Sequence, residues 1–199
     1  HPEVVRLFLL SSHYRSPVDF TDQAVKEAGS ALDKIYTLLE RVESAAGELQ
    51  APEEAGMPGD VTDTGFWQAF CEAMDDDFNT AQGIGVLFDA VRTLNRRLDE
   101  DPEASARDEI IRQCREILTI GNVLGILAES PAAYFEKQRQ TALEAAAVDP
   151  ETVEKMVRDR EAARKAKDFQ TADRIRDELK AMHIQLEDRP DGTIWRYAK

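Results

Sequence analysis

The sequence predicts a mainly α-helical protein, a helical bundle followed by a small α+β module. Apolar residues recur at helical spacing through most of the chain, whereas the alternation typical of strands occurs only near its end. Apolar residues make up 42% of the sequence and charged residues 32%, as in long helices with one buried and one solvated face. Residues 151–199 carry 12 Lys/Arg and 11 Asp/Glu in a chain of net charge −14. This uneven charge predicts two modules with different partners.

The acidic balance excludes several classes of protein. A chain with 39 acidic and 25 basic residues does not coat nucleic acid or anionic membrane by bulk charge. No apolar run approaches the roughly 20 residues of a bilayer span, so we expect no membrane partner and a cytoplasmic location. Residues 42–91 contain eleven acids and no basic residue, so a polyanion has to be bound elsewhere. Cys71 and Cys114 are expected to pack as small apolar residues.

Residues 1–20 predict an apolar helix and a connection, and a long helix follows. Val4 to Leu10 are nearly all apolar, which is more than one bundle contact needs and predicts an exposed patch. Thr21 is the expected N-cap of the long helix. The apolar stripe of this helix, with spacings of 3, 4, 3, 4 and 3, consists of Val25, Ala28, Leu32, Ile35, Leu39 and Val42. Glycines and prolines between Gly47 and Gly59 predict an acidic loop.

Three further helices complete the predicted bundle, which extends over residues 21–135. Aromatic residues between about Asp63 and Met74 predict a short packed helix. Asn79 and Gln82 form a capping-box pattern at the start of the next helix. The stripe of that helix is Ile84, Leu87, Val91, Leu94 and Leu98. Pro102 suits the first turn of the last helix, whose stripe is Ile110, Cys114, Ile117, Gly121 and Leu124.

The C-terminal quarter predicts a separate mixed module. Residues 136–150 have little apolar content and predict a linker. Residues 151–167 and 168–182 predict two helices that meet near Lys167. After them, apolar and polar residues alternate on both sides of a Pro-Asp-Gly turn, which predicts a β-hairpin. The module at 151–199 is therefore a helical pair and a two-stranded ribbon.

Two segments contain residue types that enzymes use. Asp75–Asp77 could hold Mg²⁺ on a diphosphate, but no second acidic motif faces it, so a solvated loop before the Asn79 cap is favoured. His13 follows two serines, yet no nucleophile elbow or orienting acid accompanies it, and a turn after a helix is favoured. His183 is interpreted as packing at a junction. With no phosphate loop or zinc-ligand spacing, the sequence predicts no catalytic residue and no metal site in this chain.

A basic cluster near the end is the strongest functional feature. Its members are Arg158, Arg160, Arg164, Lys165, Lys167, Arg174 and Arg176. Such side chains can follow phosphates, an exposed Phe169 can stack on a base, and Asp168, Asp173 or Asp188 can accept hydrogen bonds from base amino groups. The spacing also suits ordinary ion pairs four residues apart, with Phe169 in the core. Spacing alone leaves both interpretations open.

Three segments resemble bacterial cysteinyl-tRNA synthetases in order and approximate spacing. They are HPEVVRLFLLSSHYRSPVDF at the start, MDDDFNTAQGIGVLFDAVRTLNR from Met74, and RKAKDFQTADRIRDELKAMHIQLEDRPDGTIWR from Arg164. The resemblance implies the region after that family's KMSKS loop, with stem-contacting helices in 1–20, a DALR-type anticodon-binding domain in 21–135 and an anticodon-recognition domain in 151–199. The family's ATP- and zinc-binding Rossmann domain is then not in this chain, which we expect to be inactive alone. The implied partners are tRNA(Cys) and that catalytic domain, and not DNA.

The resemblance also implies which residues read the GCA anticodon. The matching positions are Arg164, Phe169, Asp173, Arg176 and Asp188. Related enzymes often have tryptophan where this chain has Phe169, which offers a smaller stacking surface. Contacts with the tRNA backbone are expected from Arg15, Arg158, Lys165 and Lys167.

Three other interpretations stay open. Lys167 to Leu179 also resembles the helical-hairpin interaction motif of excision-repair proteins, although that motif does not need the strands that follow. A mycothiol-pathway cysteine ligase would share the catalytic half of a synthetase but would not need an anticodon reader. A scaffold protein would retain no tRNA.

Overall fold

A computed structural model describes residues 1–46, 49, 65–100, 107–146, 149–182, 184–189 and 192–197. Within these ranges the chain forms two compact units, His1–Pro131 and Ala132–Lys199. The helices are α1 (Pro2–Leu10), α2 (Asp22–Ala46), α3 (Phe66–Asp75), α4 (Thr80–Glu100), α5 (Arg107–Leu124), α6 (Pro131–Ala146), α7 (Pro150–Lys165) and α8 (Phe169–Ala181), and the strands are β1 (Ile184–Arg189) and β2 (Gly192–Tyr197). Apart from residue 49, the expected acidic loop lies outside the described residues, as do Pro102 and His183.

The long helix α2 forms as its apolar spacing predicts. The Thr21 hydroxyl accepts a hydrogen bond from the backbone N–H of Ala24 at 3.1 Å, which is the expected N-cap contact. The later part of the stripe, from Leu32 to Val42, is almost fully buried, whereas Val25 near the start is half-buried. The periodicity is therefore confirmed, and the stripe is buried from Leu32 onwards.

Helices α4 and α5 bury the two stripes that the sequence predicts. The Asn79 side chain accepts a hydrogen bond from the backbone N–H of Gln82 at 3.1 Å, so the expected cap is confirmed. All the predicted stripe positions on both helices are buried, including Cys114, whose burial raises the pKa of its thiol to about 12. Glycine suits the stripe position 121 because Leu127 occupies the space next to it. A Cβ atom at Gly121 would lie only 2.7 Å from the Leu127 side chain.

Helix α1 packs on the first unit by one side only. Val4, Leu7 and Phe8 are buried, while Val5 and Leu9 are 42% and 51% exposed. The buried Glu3 carboxylate fixes the start of the helix, since it accepts hydrogen bonds from the Tyr36 hydroxyl at 2.9 Å and the Ala128 N–H at 3.0 Å. Burial is the main cause that raises the pKa of Tyr36, and the negative charge of Glu3 is the second cause. The phenol therefore stays protonated and donates its hydrogen bond to Glu3. The expected exposed patch on α1 is confirmed.

The second unit has a small core of its own. The buried residues of this core are Leu143, Val153, Val157, Ile175, Leu179 and Ile184, with Met156, Met182, Leu186 and Trp195 packed against them. Strands β1 and β2 pair antiparallel, with Leu186 opposite Trp195, and Ile184 opposite Tyr197. Helices α7 and α8 lie where the sequence predicts a helical pair.

The linker expected at 136–150 is wrong for most of its length. Helix α6 continues to Ala146, and Leu143 is 8% exposed in the core of the second unit. Alanine, glutamate, glutamine, lysine and arginine are strong helix formers, so a segment with few apolar residues can still be helical and contribute one leucine to a core. The boundary between units falls after Pro131 and not after residue 135. Asp149 caps α7 by accepting from Thr152 N–H at 3.2 Å.

The helices in the described part of the chain include none that is long and apolar enough to span a membrane.

Candidate nucleic-acid interface

The turn between α7 and α8 presents an aromatic ring to solvent. Lys167 takes a left-handed conformation with φ of 60°, which reverses the chain direction. The Asp168 side chain then accepts from the Thr171 N–H at 3.1 Å and caps α8. Phe169, the first residue of α8, is 63% exposed. The alternative that places Phe169 in the core is therefore wrong, and the ring is available for stacking.

One exposed face of α8 carries three of the expected site residues. Phe169, Asp173 and Arg176 are four and three residues apart, so they share a face of the helix. All three are exposed, while Ala172, Ile175 and Leu179 form the buried stripe of α8. The structure thus brings an aromatic ring, a carboxylate and a guanidinium side by side on solvent-facing helix.

The Asp188 carboxylate on β1 is held by four donors. Arg160 of α7 binds it through both terminal nitrogens, Nη1 to Oδ1 at 2.9 Å and Nη2 to Oδ2 at 3.1 Å. Arg164, one turn further along α7, donates to Oδ2. The Thr193 hydroxyl of β2 donates to Oδ1 at 2.9 Å. Asp188 therefore ties both strands to α7, and it brings Arg164 to the same place.

The electrostatics of this group are those of a stabilised carboxylate. Hydrogen bonds from Arg160 above all, and then from Thr193 and Arg164, hold the pKa of Asp188 far below its usual range, although burial acts in the opposite direction. The same interaction raises the pKa of Arg160, which is only 7% exposed. Beside it, Glu161 accepts from the Thr193 N–H at 2.9 Å, and this bond lowers the pKa of Glu161.

Thr193 is a site residue that the sequence prediction did not name, and Arg160 was named there only as one of the seven members of the basic cluster, with no role of its own. The spacing in the sequence does indicate that Arg160 is buried. Val153, Val157 and Arg160 are four and three residues apart and lie on the buried stripe of α7. An arginine at a buried stripe position needs a partner of opposite charge. Nothing in the sequence identifies that partner as Asp188, which is 28 residues away.

The remaining cations of the basic cluster lie on solvent-exposed surfaces. Arg158 forms an ion pair with Glu154 at 3.7 Å, and Arg174 with Glu178 at 3.8 Å, each across one helical turn. The ordinary alternative of ion pairs four residues apart therefore holds for these two arginines. Lys165, the last residue of α7, and Lys167, in the turn that follows, are both exposed. Exposed pairs of this kind are weak and are easily exchanged for contacts with phosphate.

In the first unit, Arg15 belongs to a cluster around Asp77. The Tyr14 hydroxyl donates to Asp77 Oδ1 at 2.8 Å, and Arg15 Nη2 donates to the same oxygen at 3.0 Å. The bond to Asp77 raises the pKa of Tyr14. His13 stacks on Tyr14 with ring centroids 4.8 Å apart. Asp77 thus organises a polar surface, and the described residues include no group of three or more His, Cys, Asp and Glu able to hold a metal ion.

Comparison with known proteins matches two regions of the chain to domain families. Residues 69–128 match the DALR domain, and residues 149–196 match the cysteinyl-tRNA ligase anticodon binding domain. The cysteine–tRNA ligases of Syntrophotalea carbinolica and Halorhodospira halophila are 44% and 45% identical over 98% of this chain, which covers 40% and 38% of those proteins. That of Geobacter sulfurreducens is 41% identical over 98% of the chain and 40% of its own length. The chain thus spans about 40% of the length of these curated relatives.

The two matches define the class of the chain: a DALR domain followed by an anticodon binding domain of the cysteinyl-tRNA ligase type. Along 98% of its length the chain is similar to the C-terminal part of cysteine–tRNA ligases. The match at 149–196 includes Lys167–Leu179, so the segment that also resembles an excision-repair interaction motif lies within the matched anticodon binding domain.

Proposed function

We propose that this chain binds tRNA(Cys) and that its second unit reads the GCA anticodon for a ligase that attaches cysteine in an ATP-dependent reaction. The observation that carries the proposal is the exposed Phe169 on the same helix face as Asp173 and Arg176, within the matched anticodon-binding domain. Aromatic rings that stack on unpaired bases, next to polar groups that bond their edges, are the usual means of reading single-stranded RNA.

Each expected site residue has a role in this proposal. Phe169 stacks on a base of the anticodon loop, and Asp173, Arg176 and Arg164 bond base edges, with Asp188 beside Arg164. Contacts with the sugar-phosphate backbone come from Arg158, Lys165 and Lys167, and in the first unit from Arg15. All of these residues are classed by their solvent accessibility as exposed, which supports the assignment.

The proposal also assigns the other parts of the chain. Residues 1–20 contact the tRNA stem, the helices up to Pro131 form the DALR-type domain, and α7 to β2 form the recognition module. The matches at 69–128 and 149–196 support the last two, and the antiparallel pairing of β1 with β2 supports the expected β-hairpin. Cysteine activation, with its ATP and zinc, belongs to the part of the relatives that this chain does not cover, and that part is the partner of this chain in the cytoplasm.

Filter binding tests the proposal. The 199-residue chain is titrated with a tRNA(Cys) transcript and with the same transcript carrying a changed anticodon. We expect tighter binding of the GCA transcript, since an interface that reads bases discriminates by about 1–3 kcal/mol per lost base contact. Equal retention of both transcripts would contradict anticodon reading, and retention of neither would contradict tRNA binding as a whole.

A further inference from the structure

We propose that Arg160 is a positioning residue of the anticodon-reading surface. In this proposal Arg160 holds Asp188, Asp188 holds Arg164, and Arg164 is the group that reaches the RNA. The inference rests on the proposed function, and it assigns to Asp188 an action through Arg164 and not a contact with a base.

The first argument is that the Asp188 carboxylate has no acceptor position to spare. An ionised carboxylate accepts about four hydrogen bonds, two at each oxygen. Oδ1 already accepts from Arg160 and Thr193, and Oδ2 from Arg160 and Arg164. A base amino group would have to displace one of these donors, three of which come from guanidinium groups. Replacing a charged guanidinium donor with a neutral amino donor weakens the hydrogen bond to Asp188 and so disfavours binding of the base.

The second argument concerns the donors of Arg164. A guanidinium has five N–H groups in a fixed plane. Within the described residues, Arg164 gives one hydrogen bond, to Asp188, and 47% of its side chain is exposed. The bond to Asp188 restricts the orientation of the guanidinium, and part of the side chain stays open to solvent. A guanidinium held in this way loses less conformational entropy on binding the acceptor edge of a base.

The third argument is the charge balance of the group. The three side chains alone, one carboxylate and two guanidinium groups, carry a net charge of about +1 at neutral pH, which the nearby Glu161 and Asp173 reduce. Without Arg160, the pair of Asp188 and Arg164 would be neutral and would attract an RNA ligand less. Arg160 is itself too buried, at 7% exposure, to contact the RNA. It balances the charge of Asp188 and so leaves the charge of Arg164 available to the ligand.

A double-mutant cycle tests the inference on the intact chain. Asp188→Asn and Arg164→Gln are compared singly and together for binding of the GCA transcript. We expect each single variant to weaken binding by about tenfold, as the loss of a specific base contact does. If Asp188 acts through Arg164, Asp188→Asn has no further effect in the Arg164→Gln background, and the double variant binds like Arg164→Gln within about twofold. Effects that multiply would overturn the inference, because Asp188 would then contact RNA itself.

Arg160 is tested in the same two backgrounds. Arg160→Lys keeps the charge but cannot bind both oxygens of Asp188 in the planar geometry of a guanidinium. We expect it to weaken binding of the GCA transcript when Arg164 is present and to leave the affinity of the Arg164→Gln variant unchanged. An equal loss in both backgrounds would mean a merely structural role and would overturn the proposal. Should Arg160→Lys fail to fold, as judged by circular dichroism, Arg160→Gln, which keeps one N–H donor towards Asp188, is measured in the same two backgrounds, and the same two outcomes support or overturn the proposal.

Controls separate this inference from the proposed function. Asp159→Asn makes the same chemical change as Asp188→Asn at an exposed position of α7, and we expect wild-type binding from it. If the wild-type chain does not prefer the GCA transcript, the proposed function fails and the inference fails with it. If the preference is present and the cycle is additive, the inference alone fails.

Discussion

At the scale of single residues, the exposure of Phe169 separates a contact with RNA from a contact with the core. An exposed ring at the first position of α8 contributes little to the fold, so its removal is expected to affect the ligand and not the protein. Asp188 is the opposite case, because its hydrogen bonds join three elements of the fold.

We expect Phe169→Ala to weaken binding of the tRNA(Cys) transcript by about 1–3 kcal/mol, the usual value of one stacked base. The loss is expected to be nearly the same at low and high salt, because stacking involves no phosphate charge. Filter binding at several salt concentrations measures it. Phe169→Trp serves as the matched variant and should bind at least as tightly as the wild type. A change in melting temperature with Phe169→Ala would indicate that the ring supports the fold instead.

At the scale of elements, Asp188 links β1 to α7, and the link is expected to depend on pH. Because its folded-state pKa is lowered, the link adds stability above the unfolded pKa of about 3.9 and loses it as the pH falls below that value. We expect Asp188→Asn to lower the free energy of unfolding by about 1 kcal/mol at pH 7, at the low end for a charged hydrogen bond because the side chain is 43% exposed.

Urea unfolding of the wild type and Asp188→Asn, at pH 7 and near pH 3, measures this difference. The difference in stability between the two proteins should be smaller near pH 3 than at pH 7, because only the unfolded state takes up a proton at Asp188 in that range. A difference that is the same at both pH values would show that the charge of Asp188 is not what stabilises the link.

Helix α6 gives a second test at the scale of elements. Leu143 is buried among residues of α7, α8 and β1, so we expect Leu143→Ala to destabilise the second unit by about 2–3 kcal/mol, at the low end for a buried leucine. Thr141→Ala on the exposed side of the same helix is the control, with an expected change of less than about 0.5 kcal/mol. Thermal unfolding measures both. Equal stability of the two variants would show that Leu143 does not support the core of the second unit and that this segment is a linker, as its composition predicts.

The elements also show how far the sequence could predict this structure. The stripes of α2, α4 and α5 were predictable because each helix buries one continuous face, and spacing alone reveals such a face. The part of α6 after Phe135 was missed because Leu143, the one buried apolar residue among its described side chains, produces no periodic pattern. The Asp188 group was only half predicted, since Arg160 and Asp188 meet through folding and not through spacing. The exposure of Phe169 was undecidable from the sequence, because both interpretations place it near the start of a helix.

At the scale of the whole molecule, the division of charge predicts where a polyanion binds. Lys165 and Lys167 are exposed and stand in the basic quarter of an otherwise acidic chain. We expect Lys165→Gln and Lys167→Gln to weaken all tRNA transcripts alike and to lower the slope of log affinity against log salt by about 0.7–0.9 per lost phosphate contact.

Lys34→Gln removes the same charge from an exposed position of α2 and serves as the control, with an unchanged slope expected. Salt titrations with the matched and the changed anticodon measure the effect. A loss of affinity confined to the GCA transcript would show that these lysines contact the bases of the anticodon and not the phosphate backbone.

The Glu3 carboxylate has a consequence for how the first unit is made. Its two partners, Tyr36 and the backbone of Ala128, lie 33 and 125 residues further along the chain. During synthesis, the bond to Tyr36 can form early, whereas the bond to Ala128 has to wait until nearly the whole unit has left the ribosome. A contact between such distant positions closes a long loop and forms late in folding. Glu3 therefore gains its bond to Tyr36 before its bond to Ala128, and both bonds are present only when the bundle is complete.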